Sequence, residues 1–262
     1  MESLERWRAT IILKDFGHHK AIFITVRTGS VRLPNKCLLL IKDNIRVIDF
    51  LIKRVKRCKE VDLIVICTTT LPEDDILEQV AKEHKVKIYR GSVKDKLGRW
   101  LQAAFKNQVD FFVTVDCDDL YCDPWLIDLA IRKYKLKAFK FITTDKVPCG
   151  AFSWGIQTKA LKEIYDKQSN HSNTEMGNIW FKEITELAPI PPEYYGNYRL
   201  TLDYIEDYWF FRLLVDRLGD VSIPIVNKYL KEHPEIVRIN SFRQKDFLVN
   251  QNKAKKELLN GK

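Results

Sequence analysis

No run of apolar residues in this chain approaches the length of about 20 needed to cross a bilayer. Met1 to Lys14 carries charges throughout and has no apolar centre of the kind a secretory signal requires. The sequence therefore predicts a cytoplasmic protein without membrane insertion. The six cysteines form no C-x-x-C pair, and Cys117 and Cys122, with four residues between them, have no nearby histidine to complete a zinc site. Cys37, Cys58 and Cys67 lie in or beside apolar runs, where a free thiol behaves as a small hydrophobe, so reduced structural thiols are expected. There is no serine–histidine–aspartate or cysteine–histidine set that would signal covalent catalysis. Glycine and proline, ten and nine residues, are scattered rather than clustered, so no linker, repeat or low-complexity segment divides the chain. The Gly-x-x-x-x-Gly-Lys-Ser/Thr signature of P-loop proteins is also missing, which excludes that way of holding phosphate.

With 262 residues, 45% hydrophobic and 30% charged, the chain can bury one large core or two small ones. The formal net charge of +9 suits nucleic acid, an anionic surface or small polyanions. The basic residues are spread along the chain, however. Their densest group, Lys53, Arg54, Lys56, Arg57 and Lys59, reads as a solvated helix face, with cations near a C-terminus where the dipole favours them. No nucleic-acid partner is predicted.

Apolar runs at Ala21–Val26, Val61–Cys67, Val86–Tyr89, Phe111–Val115 and Phe139–Thr143 read as strands. Between them lie helical patterns at Val47–Cys58, from Pro72 onward, at Asp95–Phe105 and at Trp125–Ile131. This alternation with short connections predicts a three-layer α/β fold around a mainly parallel sheet. The second half is less regular. The pattern there predicts a strand over Ala151–Gln157, helices over Thr158–Lys167 and Asn173–Leu187, and a strand over Arg199–Leu202 leading into Asp203. A helix over Ile205–Leu218 and a helical tail from Val226 to Leu259, interrupted near Pro234, complete it. Leu4, Trp7, Ile11 and Ile12 have the spacing of a short N-terminal helix.

In parallel sheets ligands bind beyond the carboxyl ends of the strands. The Arg27 turn, the Thr68–Thr70 run, Arg90-Gly91-Ser92 and Asp116–Asp119 all follow strands, so they are expected at one rim. Arg27-Thr-Gly-Ser-Val-Arg-Leu-Pro-Asn-Lys36 combines three cations with a small Gly29-Ser30 turn. That is the composition of a phosphate cradle, and also of a merely solvated basic turn. Asp116-x-Asp118 offers hard carboxylates of the type that hold Mg²⁺ or Mn²⁺ against phosphates, with Asp203 as a second source. Turn and cap chemistry is the alternative for the acidic loop.

These segments carry a resemblance. Arg27 to Lys36 resembles the signature R-x-G-S-x-R-L-P-x-K of cytidylyltransferases that make CMP-activated sugars, in particular the spore coat polysaccharide biosynthesis protein F family and, more distantly, CMP-Kdo synthetase. Cys67-Thr-Thr-Thr-Leu-Pro-Glu-Asp-Asp75 is similar to A-T-T-x-x-P-E-D-D, and Tyr89-Arg-Gly-Ser-Val-Lys-Asp-Lys-Leu-Gly-Arg99 to F-R-G-S-x-D-D-V-L-D-R. Thr114 to Pro124 is similar to a segment ending G-D-C-P-L-I-D-P, and Arg199-Leu-Thr-Leu-Asp-Tyr-Ile-Glu-Asp207 to R-L-T-V-D-x-P-E-D. His233-Pro234-Glu235 with Ile239-Asn240 is similar to the tail H-P-E-x-x-x-I-N.

The resemblance implies a nucleotidyltransferase fold like that of nucleotide-diphospho-sugar transferases, over residues 21–250, with an N-terminal extension at 1–20 and a polar tail at 251–262. It implies that Arg27, Arg32 and Lys36 hold the phosphates of CTP, and that Gly29 and Ser30 shape the turn. Thr69, Arg90, Ser92 and Arg99 fall in nucleotide-binding segments, and Asp118 with Asp203 would bind Mg²⁺ or Mn²⁺. The reaction implied is transfer of CMP to a sugar acid, sugar phosphate or related glycan precursor with release of pyrophosphate, by an enzyme that pairs as a homodimer. Two alternatives stand beside it: a glycosyltransferase using Asp116-Cys117-Asp118 as its D-x-D, and a non-catalytic nucleotide-binding homologue. Departures from the pattern are Asp116 at a normally uncharged position, Asp119 at the cysteine, and Phe152 and Trp154 where relatives often carry acids. The segment of Phe152 and Trp154, and the poorly matching one around Asn173–Gly177, fall where the resemblance implies the acceptor would bind.

Overall fold

The structure, a computed structural model, describes residues 17–168 and 174–260. The short helix expected around Leu4–Ile12 lies outside these residues. The first strand, β1 (His19–Thr25), lies in the interior of a seven-stranded sheet. It pairs in parallel with β4 (Leu63–Thr69) on one side and β6 (Val109–Asp116) on the other. β5 (Lys87–Gly91) extends the parallel part beyond β4. Beyond β6 the sheet turns mixed: β8 (Trp154–Gln157) runs antiparallel to β6 and to β7 (Phe141–Thr143), and β9 (Ile184–Glu186) closes the edge in parallel with β7. A separate two-stranded ribbon, β2 (Leu40–Lys42) with β3 (Ile45–Arg46), follows the Arg27 loop.

The unbroken apolar run of β1 is explained by burial on both faces. Ile22 and Ile24 face one core with α1 (Val47–Val55), α2 (Ile76–His84), α4 (Pro124–Leu136), α6 (Ile205–Leu218) and α7 (Ile223–Glu232). Ala21 and Phe23 face the other, with α3 (Lys96–Lys106) and α5 (Thr158–Asp166). The predicted three layers are therefore present. Capping follows the sequence too. The Asp95 carboxylate accepts from the Gly98 N–H at 2.9 Å, and Asp123 accepts from the Trp125 N–H at 2.9 Å with Pro124 opening α4.

Three expectations change. Arg54 is not on a solvated face. It is fully buried, donates Nε–H to the Cys122 carbonyl at 2.6 Å and pairs with Asp220. The predicted helix over Asn173–Leu187 is, among its described residues, one short turn at Gly177–Trp180 followed by β9. Thr174, Gly177 and Asn178 are weak helix formers, and Ile184-Thr185 are claimed by pairing with β7. Arg199–Leu202 is extended but joins no strand. Leu200 N–H donates to Cys149 O at 2.8 Å and Leu202 N–H to Asp118 O at 2.9 Å, so this segment is stitched to loops rather than to the sheet. Gly150 makes the approach feasible: its φ is +94°, and a Cβ there would meet Leu200 O at 1.9 Å. The helical tail follows the predicted pattern, with its interruption at Pro234. After the single turn α8 (Pro234–Val237), α9 (Arg243–Asn260) runs unbroken through residue 250.

Candidate active site

The carboxyl ends of β1, β4, β5 and β6 gather the four expected segments at one rim. The Arg27 loop is held from below by Asp74. Its carboxylate is fully buried and accepts from Thr28 N–H at 2.7 Å, Thr28 Oγ1–H at 2.8 Å and the Thr69 hydroxyl. The loop then folds inward so that Lys36 reaches across the rim. Lys36 Nζ donates to Asp118 Oδ2, to Leu202 O at 2.9 Å and to Asp203 Oδ1 at 3.3 Å. Arg32 donates to the same Asp203 oxygen. On its other oxygen, Asp203 accepts from Arg199 at 3.1 Å, and Arg199 makes a bidentate pair with Asp207 at 2.8 and 2.9 Å. Asn240 completes the column, donating to Asp207 at 3.0 Å.

The two carboxylates that share Lys36 are not equivalent. Burial, then the charges of Asp203 and Asp116, raise the pKa of Asp118 despite its contact with Lys36. Asp203 is buried as well, but Lys36, Arg32 and Arg199 outweigh burial and hold its pKa below the ordinary value. Burial opposes the charged form of Lys36, yet Asp118 and Asp203 raise its pKa, so it stays an ammonium. Burial, then the charges of Asp118 and Asp116, push the pKa of Asp119 well up. Oxygens of Asp116, Asp118 and Asp119 lie within 4.8 Å of one another.

Two cavities meet at this point. One, of about 400 Å³, is bounded by Arg27, Ser30, Arg32, Lys36 and Arg99. The other, of about 930 Å³, has an aromatic wall of Phe152, Trp154 and Phe181, with Asp145 and Lys146 at its mouth. Arg32, Lys96, Asp116, Asp118, Glu175 and Gln251 line both.

The structure thus brings Arg27, Ser30, Arg32, Lys36, Arg99, Asp118 and Asp203 together. Three predicted residues stand behind the site instead. Thr69 is fully buried, its hydroxyl given to Asp74. Arg90 braces the loop after β4, donating to Thr69 O and Leu71 O at 2.9 Å and pairing with Asp75 and Glu78. Ser92 accepts from Asp95 N–H at 3.2 Å through its hydroxyl and from Arg99 through its carbonyl. Gly29 is exposed, and a Cβ there would touch only Glu73 at an ordinary 3.5 Å, so the fold itself does not demand a glycine.

Sequence reasoning missed Lys96, Asp74 and the α9 residues Asn250 and Gln251. Lys96 had a signal: a lysine in the first turn of a helix opposes the dipole. Asp74 was hidden by its place in a Pro-Glu-Asp helix start, where capping is the ordinary explanation.

Comparison with known proteins places this geometry. The family model described as cytidylyltransferase matches residues 21–200. The chain is 29% identical over 233 residues to an uncharacterized protein of Methanocaldococcus jannaschii, covering 86% of this chain and 96% of the relative. It is 27% identical over 231 residues to the spore coat polysaccharide biosynthesis protein SpsF of Bacillus subtilis, covering 81% and 94%. A solved cytidylyltransferase from Leptospira borgpetersenii superimposes with a TM-score of 0.73 at 26% identity, covering 84% of this chain and 96% of that one. The fold is shared also with CMP:2-keto-3-deoxy-manno-octonic acid synthetase, solved with CTP, at a TM-score of 0.56 and 15% identity over 76% and 99% of the two chains. The matched span contains the whole Arg27 loop, its Asp74 anchor and the acidic loop after β6; the chain belongs to the cytidylyltransferase family and is a nucleotidyltransferase enzyme.

Proposed function

We propose that the enzyme transfers CMP from CTP to a small anionic acceptor, a sugar acid or sugar phosphate used for glycan synthesis, and releases pyrophosphate. The observation that carries this reading is the meeting of the two cavities at Lys36, Asp118 and Asp203. A cation-rich chamber suits a triphosphate, and a larger chamber with an aromatic wall suits a sugar-sized partner. The relative named for spore coat polysaccharide biosynthesis supports the glycan context.

In this reading Arg27, Arg32, Lys36 and Arg99 hold the triphosphate and neutralise the charge that grows on the departing pyrophosphate. The acceptor oxygen, seated in the larger chamber, attacks the α-phosphorus directly. No residue need form a covalent intermediate, because phosphoryl-type transfer is mainly positioning and charge stabilisation. Asp118 and Asp203 would hold Mg²⁺ or Mn²⁺. They are hard carboxylates facing each other across Lys36, and the oxygens of Asp116 and Asp119 lie close to that of Asp118. Such an ion would supply Lewis-acid stabilisation of phosphate charge. Against the glycosyltransferase alternative, the cationic turn that carries Arg32 and Lys36 suits a triphosphate donor better than a nucleotide-sugar diphosphate.

The test is pyrophosphate release with Mg²⁺, each of the four nucleoside triphosphates, and a panel of sugar acids and sugar phosphates. Release with CTP and one acceptor is expected. A wild-type protein that binds no CTP in a parallel titration would reject the reading.

A further inference from the structure

We propose that Lys96 is a further catalytic residue of this enzyme, binding the α-phosphate of the nucleotide at the seam between the two cavities. The proposal rests on the cytidylyl-transfer reading above. The α-phosphorus is the atom that both substrates must reach, so its ligands belong among residues lining both chambers. Among the described residues two cations do so, Arg32 and Lys96. Arg32 is bonded to Asp203. Lys96 stands on the first turn of α3, with Nζ 3.2 Å from Asp116 Oδ1 and 4.9 Å from the centroid of the Trp100 ring. Trp100 is itself fixed, donating its indole N–H to Thr25 Oγ1 at 3.0 Å. The ammonium is therefore aimed, with only 13% of the side chain exposed.

A lysine at a helix N-terminus works against the dipole and is favourable only where it meets negative charge. Asp116 supplies part of that charge, and an incoming phosphate, as a second anion, would supply the rest. The pair also unites two separate departures from the family pattern. Lys96 stands at the valine of F-R-G-S-x-D-D-V-L-D-R, and Asp116 at a normally uncharged position after β6. Either departure alone would leave a charge without its partner; together they place a held cation on the wall that the two cavities share.

Calorimetric titration of wild type, Lys96→Met and the double variant Lys96→Met, Asp116→Asn with CTP, CMP and cytidine tests this. Lys96→Met is expected to weaken CTP and CMP by a similar factor, about tenfold or more, with cytidine unaffected. The double variant removes both members of the Lys96–Asp116 pair, so neither is left without the other, and it is expected to lose CMP affinity in the same direction, which separates lost binding from damaged folding. Unchanged CMP affinity in both variants overturns the proposal, as does a loss confined to CTP or one shared equally by cytidine. Failure of wild type to bind CTP would instead defeat the underlying reading of the reaction, and this proposal with it.

Discussion

Replacing Asp74 with alanine should detach the phosphate loop from the sheet while leaving both cores intact. The Asp74 carboxylate is fully buried and takes three hydrogen bonds, from the Thr28 N–H, the Thr28 hydroxyl and the Thr69 hydroxyl. Hydrogen bonds to a charged acceptor contribute about 1.5–3 kcal/mol each, but they are not additive within one network. The backbone N–H of Thr28 would be left without its partner in a buried place. A loss of about 3 kcal/mol is the reasoned expectation, and for a domain of this size it lowers the melting temperature by roughly 6–12 °C. The pH dependence has a definite sign. Burial opposes ionisation of Asp74, but the Thr28 N–H and the Thr69 and Thr28 hydroxyls outweigh it and hold its pKa below the usual carboxylate range. A depressed folded pKa gives stabilisation that is complete above the unfolded value of about 4 and fades as pH falls through the folded one. The melting gap between wild type and Asp74→Ala should be full at neutral pH and shrink in acid below about pH 4. Thermal melts across pH, with CTP titration at neutral pH, make the measurement. A variant that melts within a degree of wild type at neutral pH and binds CTP as tightly would refute the account of the loop's anchor.

Four further outcomes are expected. Asp118→Asn should abolish pyrophosphate release at unchanged melting temperature, and near-normal turnover would defeat its assignment as an ion ligand. Lys36→Ala should weaken CTP by roughly ten- to a hundredfold in calorimetry, since a charge-assisted contact is lost and two carboxylates face each other unbalanced. Chelation with EDTA should stop turnover, and Mg²⁺ or Mn²⁺ should restore it; activity that persists in chelator would count against the ion. Arg54→Leu should cost about 3–5 kcal/mol in urea unfolding, because Asp220 and Asp123 lose their buried partner, with CTP affinity little changed.

The sequence was most legible where one physical constraint dominates. The interior strand β1 is apolar from Ala21 to Ile24 because both its faces are covered there, and α6 begins and ends where its pattern predicts. The gathering of four loops at one rim followed from strand–helix alternation alone. Side-chain direction was not legible. Thr69, Arg90 and Ser92 sit in the right segments, but whether a loop residue faces the cavity or props the loop from behind depends on partners such as Asp74 and Glu78, distant in sequence or pattern. The same holds for Arg54, where a helix-end cation turned out to be buried between loops. Arg199–Leu202 has strand-like composition, but its neighbours are Cys149 and Asp118, residues of loops that the pattern could not place beside it.

The column from Asn240 through Asp207, Arg199 and Asp203 to Lys36 and Asp118 also imposes an order of assembly. Lys36 and Asp203 stand 167 positions apart, and the aspartate is held by groups from still later in the chain. A ribosome delivers the cradle long before its counterweight. The parallel strands and their first helices can pack while Asp203 and Asn240 are unmade, yet in that interval nothing from the later chain sets Lys36 or balances Arg32. The growing polypeptide therefore builds its sheet first and acquires competence for nucleotide last, when the C-terminal helices close the circuit. A chain cut short before Asp203 would lack the carboxylate that Lys36 and Arg32 share.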